Sequence, residues 1–178
     1  MSTQKTWTID TVHSEIQFRA RHMVVSNVTG KFDSFESTAV TPEDTMEGAE
    51  ITFSADVASV NTGSEQRDNH LKSDDFFNAE KFPKLTFKSD RFEKISEESY
   101  RLTGQLTIRD VTKPITLEVE YGGVIKDPYG NQRSGFTVNG KVSRKAFGLQ
   151  WNALMESGGA VVGDEIKINC HVEYVLSE

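Results

Sequence analysis

The feature that most constrains the fold of this chain is a strict alternation of apolar and polar residues in eight separate stretches. In the clearest of them, near the C-terminus, polar residues separate Ile166, Ile168, Cys170, Val172 and Tyr174. An apolar residue at every second position is typical of a β-strand with one buried face and one face in water. The sequence therefore predicts an all-β protein.

The other seven stretches lie at 15–21, around Phe32, and at 50–57, 84–88, 102–108, 115–121 and 136–142. Many antiparallel strands cover their apolar faces by stacking as a sandwich or by curling into a barrel, and a closed barrel has no exposed edge. With about eight strands, a barrel is either filled by its own side chains or just wide enough for one small ligand. The pattern alone leaves both choices open.

Length and charge narrow the class of protein. The 178 residues contain no linker or repeat, so we expect residues 1–178 to form a single domain. A net charge of -7 argues against nucleic-acid binding. The N-terminus lacks the apolar core of a secretory signal, and no segment is apolar enough to span a bilayer. We expect a cytoplasmic protein that does not span a membrane.

The longest interruption of the strand pattern runs from Asn61 to Phe82. Ser64 is a good N-cap for about two helical turns over 65–72, and Asp74 can cap a further short turn. Three phenylalanines (Phe76, Phe77 and Phe82) give this excursion an apolar underside. It is either a lid over a barrel mouth or a plug of core residues at the barrel end, and the composition favours neither.

Catalytic and metal-binding signatures are absent from the sequence. The single cysteine, Cys170, falls on an apolar strand face, which excludes an internal disulfide and favours a buried, inert thiol. The four histidines lack the close spacing of a zinc site, so we predict no metal and no cofactor. The cluster of Arg67, Asp68 and His70 could act in catalysis, but ion pairs that only stabilise structure are commoner.

The order and spacing of short motifs along nearly the whole chain carry a family resemblance. These motifs are Trp7-Thr8-Ile9-Asp10 with His13-Ser14; Arg21-His22-Met23; 28–32; 59–62; 67–77; Pro83, Phe87 and Ser89; 102–108; Val111-Thr112-Lys113-Pro114; 127–130; Ser143-Arg144 with Phe147-Gly148; and Val162-Gly163-Asp164. The sequence resembles the YceI-like family, often called polyisoprenoid-binding. One departure is Asp110, where the family pattern suggests glycine; Asp tolerates the left-handed conformation, so a turn can still form there.

The resemblance implies an antiparallel, eight-stranded lipocalin-like β-barrel with a short helical excursion between strands 3 and 4. It also implies an elongated apolar pore for a polyisoprenoid or similar amphiphile, and no enzymatic activity. Candidate lining residues come from the apolar strand faces and from the excursion: Ile16, Phe18, Phe32, Phe53, Phe76, Phe77, Phe82, Phe87, Leu106, Ile108, Leu117, Val119, Phe136 and Val138. Candidates for binding a polar head group at the mouth are His22 and Arg67 foremost, then Arg19, Arg21 and Arg144.

Three functional hypotheses remain at this point. The favoured one is a non-catalytic carrier of a polyisoprenoid, quinone or fatty-acid-like lipid. The second is an enzyme acting on such a lipid, with His22, Arg67 or Asp68 as the acid, base or anion partner; the lack of a recognised catalytic constellation counts against it. The third is a packed barrel without a cavity. A homodimer is compatible with each of them.

Overall fold

The computed structural model describes residues 3–22, 26–149 and 162–177, and within them the chain forms one antiparallel sheet. Its eleven described strands are β1 (Gln4–Ile9), β2 (Glu15–His22), β3 (Ser26–Phe32), β4 (Phe35–Pro42), β5 (Glu50–Asp56), β6 (Val60–Asn61), β7 (Lys84–Lys94), β8 (Ser99–Ile108), β9 (Val111–Lys126), β10 (Gln132–Ser143) and β11 (Val162–Leu176). One α-helix, α1 (Glu65–Lys72), and 3-10 turns at Val57–Ser59 and Lys145–Phe147 complete the described elements.

Eight of these strands close into a barrel in the order β1-β4-β5-β7-β8-β9-β10-β11. The ring closes where β1 pairs with β11, with Trp7 opposite Leu176 and Ile9 opposite Tyr174. The long β11 pairs with β1 near its C-terminus and with β2 along its N-terminal part, where Ile168 lies opposite Phe18. Strands β3 and β6 extend the wall beyond β2. The predicted eight-stranded antiparallel barrel is confirmed.

The membership of the ring differs from the prediction, because β1 and β4 carry too few apolar residues to be recognised as strands. The inward positions of β4 include Ser37 and Thr41, both of them buried. Tyr174 is hydrogen-bonded to Ser37 (2.8 Å), and the Trp7 indole N–H donates to Thr41 (3.1 Å). Because these polar side chains are hydrogen-bonded, they can be buried. Strand β4 therefore forms although its inward positions do not show the apolar alternation.

The helical excursion is confirmed. The backbone N–H of Arg67 donates to the Ser64 side chain (3.3 Å) at the start of α1. Phe76 and Phe77 are buried beyond the helix, in the main core. A guanidinium N–H of Arg109 donates to the carbonyl oxygen of Phe76 (3.1 Å), which ties the excursion to the turn between β8 and β9. In that turn the left-handed residue is Arg109 (φ 56°) rather than the predicted Asp110.

Other local predictions agree with the structure. The turn between β9 and β10 is organised by Asp127, whose carboxylate accepts from the backbone N–H groups of Tyr129 (2.8 Å) and Asn131 (3.0 Å). Gly130 in this turn has φ 88°. Cys170 is buried, as predicted, and burial raises the pKa of its thiol to about 11. The predicted irregular segment from Ala146 to Gly163 lies partly outside the described residues.

Candidate functional site

The barrel interior contains an apolar cavity of about 240 Å³ at the end that carries α1. Its wall comes from nearly every barrel strand, and Leu71 of α1, Phe76 and Phe77 cover one side. A cavity of roughly 150 Å³ lined by Leu, Ile and Phe is already large enough to bind benzene. The space is therefore sufficient for part of an apolar ligand, and its lining offers such a ligand chiefly dispersion contacts and exclusion of water.

A second cavity of about 60 Å³ lies toward the opposite end of the barrel. Five residues line both cavities and so form the partition between them: Ile51, Leu102, Val138, Val172 and Tyr174. Burial raises the pKa of the Tyr174 hydroxyl to about 12, and Ser37 holds that hydroxyl in place. The apolar interior is thus divided into two cavities at this partition.

Arg144 is the only charged residue among the described residues that line the larger cavity. It follows β10 and is 3 % exposed. Its side chain donates to the carbonyl oxygens of Gly163 (2.9 Å) and Leu149 (2.6 Å). Burial lowers the pKa of the guanidinium, while the nearby Asp164 carboxylate opposes that shift. The polar end of the cavity therefore lies beside Arg144, near the Lys145–Phe147 turn.

Most of the lining residues predicted from sequence do face the interior. Eleven line the larger cavity: Ile16, Phe18, Phe32, Phe53, Phe76, Phe77, Phe87, Leu106, Ile108, Leu117 and Val138. Val119 and Phe136 line the smaller cavity instead. Phe82 lines neither of these cavities, because its ring lies beneath Lys81 and Arg109 at cation–π distance. Contact of these side chains with a ligand stays a prediction.

The predicted head-group residues are scattered, and only Arg144 among them lines the larger cavity. Arg67 instead donates to the side chain and the carbonyl oxygen of Thr62, both at 2.7 Å, and so fastens α1 to the segment after β6. Arg19 and Arg21 are exposed on β2, while His22 is half-buried at its end. The choice of His22 and Arg67 as the foremost candidates therefore lacks support from the positions of these side chains.

Several lining residues were missed by the sequence analysis. Ser37, Leu71 and Leu149 line the larger cavity from β4, from α1 and from the segment after the second 3-10 turn. These places carry no period-two signal, so no pattern could have identified them. Ile166, Ile168 and Tyr174, by contrast, belong to the clearest alternating stretch and could have been included on that basis.

A separate polar cluster lies between β1 and β2, next to the β9–β10 turn. Asp10, His13 and Glu173 bring three possible metal-ligand atoms within 4.8 Å of one another. The Arg133 guanidinium lies among them, 2.7 Å from Asp10 and 3.5 Å from Glu173. It holds the pKa of Asp10 well below its usual range. Because a resident cation already pairs with these carboxylates, the cluster acts as a clamp between strands.

An antiparallel barrel around an apolar cavity defines a protein of the lipocalin-like class. A family model described as the YceI-like domain matches residues 7–174, and the chain belongs to that family. A UPF0312 protein of Staphylococcus aureus USA300 is 36% identical over 173 residues, covering 97% of this chain and 98% of the relative. Within the described residues, no helix is both long and apolar enough to cross a membrane.

Solved structures of other proteins have the same fold. The YceI protein of Campylobacter jejuni is 34% identical, with a TM-score of 0.73 over 89% of this chain and 90% of that chain. A polyisoprenoid-binding domain from Saccharophagus degradans, implicated in plant cell wall breakdown, is 15% identical, with a TM-score of 0.70 over 96% of this chain and 98% of that chain. At that low identity, the second likeness concerns the fold alone.

Proposed function

We propose that this protein is a non-catalytic binding or carrier protein that holds a polyisoprenoid or a similar long-chain amphiphilic lipid inside its barrel. The observation that carries the proposal is the cavity of about 240 Å³ with its nearly uniform apolar lining. Membership of the YceI-like family and the likeness in fold to a polyisoprenoid-binding domain support it further. Quinones and fatty-acid-like lipids present the same chemistry to such a lining.

The free energy gained by burying a ligand in this cavity favours a long apolar chain. Each five-carbon unit moved from water into the barrel contributes roughly 3 to 4 kcal/mol at about 0.8 kcal/mol per methylene-sized group. Ordering a flexible chain and restricting its overall motion oppose this gain. A few units are therefore enough for binding, and the lining discriminates a long chain from a short one by the surface that it buries.

The polar end of the lipid belongs near Arg144 in this proposal. A charged or hydrogen-bonding head group is costly to bury unless it meets water or a cation. Among the described lining residues, Arg144 alone offers such a cation, and it lies at the α1 end of the cavity. The chain of the lipid then extends toward Tyr174 at the partition.

The protonation states of the lining support a binding role over a catalytic one. Besides Arg144, the ionisable groups among the described lining residues are Cys170 and Tyr174. Their pKa values, about 11 and about 12, keep both protonated at neutral pH. A general base needs a pKa near the working pH, and neither group has one.

A cytoplasmic location and a homodimer stay predictions.

The test is mass spectrometry of an organic extract of the natively purified protein. We expect one long-chain lipid, isoprenoid or similar, at close to stoichiometric amounts, when the protein is produced in each of two unrelated hosts. A protein of similar mass without an apolar cavity, purified in parallel, sets the background. Extracts from both hosts that contain no lipid above that background would contradict the proposal.

A further inference from the structure

Three inward-facing glycines in the barrel wall each lie beneath a bulky side chain of the neighbouring strand. Phe18 on β2 lies over Gly30 on β3, and Phe87 on β7 lies over Gly104 on β8. In the same way Leu117 on β9 lies over Gly140 on β10. These three bulky side chains line the larger cavity, and none of the three glycines does. Gly30 and Gly104 are buried, whereas Gly140 is half-buried.

The fit between each pair leaves no room for even a methyl group on the glycine. A Cβ atom at position 30 would lie 2.4 Å from Phe18 Cζ and 2.9 Å from Thr62 Cγ2. At position 140 it would lie 2.3 Å from Leu117 Cδ2, and at position 104 it would lie 2.5 Å from Phe87 Cζ. Carbon atoms in contact are normally about 3.5 to 4.0 Å apart. Each covering side chain therefore occupies the space that a Cβ would need.

The φ angles do not explain these glycines. Positive φ angles occur at Gly48, Gly63, Gly123, Gly130 and Gly148, all of them different positions. Glycine in a strand interior weakens the strand, and it often marks a place where another group approaches closely. At position 104 the Lys88 carbonyl oxygen approaches as closely as the Phe87 ring, both 2.5 Å from the Cβ position, whereas at positions 30 and 140 the nearest approaching group is a side chain that lies back against the wall. If a methyl group stood there, the covering side chain would have to move about 1 Å into the cavity to restore normal contact.

We propose that Gly30, Gly104 and Gly140 are specificity-determining positions that keep the cavity wide enough for a methyl-branched chain. A polyisoprenoid carries a methyl branch in every unit and is wider at each branch than an unbranched acyl chain. Moving one covering side chain inward therefore excludes the branched chain before the unbranched one. The inference rests on the proposed lipid-binding function and adds to it the cross-section of the preferred ligand.

Two of the three positions allow a clean substitution. At Gly30 and Gly140 the atoms within 3 Å of the Cβ position belong to side chains, Phe18 and Thr62 at the first and Leu117 at the second, whereas at Gly104 the Lys88 carbonyl oxygen also lies 2.5 Å from the Cβ position. The test variants are therefore Gly30→Ala and Gly140→Ala, on separate strands. Gly135→Ala is the matched control, because nothing lies within 4 Å of that Cβ position and Gly135 is also on a strand, β10.

The experiment measures the affinity of delipidated protein for two uncharged alcohols by displacement of a fluorescent fatty-acid analogue. Farnesol is methyl-branched, and dodecanol is unbranched with the same main-chain length. We expect both variants to bind farnesol at least about ten-fold more weakly than wild type. A factor of about ten is the low end of the change in affinity that one methyl group causes in an apolar pocket. Dodecanol affinity should change by less than about two-fold, and Gly135→Ala should bind both alcohols like wild type.

A double mutant distinguishes a change in the width of the cavity from general damage to the fold. In Gly140→Ala/Leu117→Ala the obstructing side chain is removed, so farnesol should bind more tightly than it binds to Gly140→Ala. Wild-type affinity for farnesol in both folded glycine variants, or equal losses of the two alcohols, would overturn the inference and leave the proposed function standing. A wild-type protein that binds neither alcohol would overturn the proposed function and this inference together.

Discussion

The two halves of the barrel are built from the same strands but are filled differently. The half that carries α1 surrounds about 240 Å³ of apolar space, whereas the opposite half retains about 60 Å³. In that opposite half, aromatic rings fill the interior: Phe92 stacks on Tyr100 at 4.7 Å and Tyr121 stacks on Phe136 at 5.1 Å between ring centroids. In the α1 half, the rings of Phe18 and Phe87 lie back over glycines.

This difference shows that two properties of the interior are distinct: which side chains face inward, and whether those side chains fill the space. Period-two alternation determines which side chains face inward, and it does so equally in both halves. Whether the interior is filled depends on the volume of those side chains and on which of them have a glycine as a neighbour. We therefore expect the same kind of substitution to have different consequences in the two halves.

The largest expected difference concerns the removal of one aromatic ring. Phe92→Ala in the packed half should cost about 3 to 5 kcal/mol in the free energy of unfolding, because a close-packed ring leaves a new cavity behind. Phe53→Ala in the α1 half should cost roughly 1 to 2 kcal/mol, because one side of that ring already faces empty space. Denaturant titrations of delipidated protein measure both. Equal costs would contradict the contrast between the halves.

A smaller effect is expected at the fastening of α1. Arg67→Ala removes two hydrogen bonds to Thr62 and should cost about 1 to 2 kcal/mol in stability. Because Arg67 does not line the cavity, it should weaken binding of an anionic lipid and of its uncharged analogue equally. Gln66→Ala, at an exposed position of the same helix, is the control. Selective loss of the anionic lipid would instead assign Arg67 to head-group binding.

The packed half should also show a distinct response to acid. The hydrogen bond from Arg133 lowers the pKa of Asp127 to about 2, against roughly 3.9 in an unfolded chain. A depressed carboxyl pKa stabilises the fold above about pH 4, and this contribution is lost as the pH falls toward about 2. As the pH falls from about 4 toward about 2, the free energy of unfolding of Arg133→Gln should therefore decrease less than that of wild type.

Unfolding titrations at a series of pH values test this prediction. Arg101→Gln is the matched control, because Arg101 makes a longer, exposed ion pair with Glu118 (3.6 Å) on the outer wall. Its pH dependence should match that of wild type. A wild-type acid response in Arg133→Gln would show that the Arg133 clamp does not contribute to it.

A final prediction concerns reactivity rather than stability, at Cys170, which lines the larger cavity. With its pKa raised to about 11, few of its thiols are ionised near pH 8, so an uncharged maleimide should label it about a hundred-fold more slowly than an exposed cysteine. Cys170→Ala/Ser177→Cys provides that exposed comparison. Bound lipid should slow labelling of Cys170 further. Equal labelling rates with and without lipid would place the ligand elsewhere.

Local signals in the sequence predicted antiparallel strands, the helix α1 and most inward-facing residues, whereas the choice of a barrel over a sandwich came from the family resemblance. Strand β4 was missed, since its buried Ser37 and Thr41 look exposed in sequence and are compatible with burial only through distant partners. The Arg133–Asp10 pair joins residues far apart in the chain, so no local pattern indicates it. Likewise, the pairing of Gly30 with Phe18 depends on strand register, which alternation does not specify.

The most direct test of the account is a tryptophan substitution in each half, followed by denaturant titration and uptake of a fluorescent isoprenoid analogue by delipidated protein. Leu106→Trp should fill empty space in the larger cavity, changing stability by less than about 1 kcal/mol while abolishing uptake. Val119→Trp should overfill the packed half and cost about 1 to 3 kcal/mol, while its folded fraction still takes up the analogue. A strongly destabilised Leu106→Trp whose remaining folded fraction takes up the analogue normally would contradict the claim that the larger cavity holds the ligand.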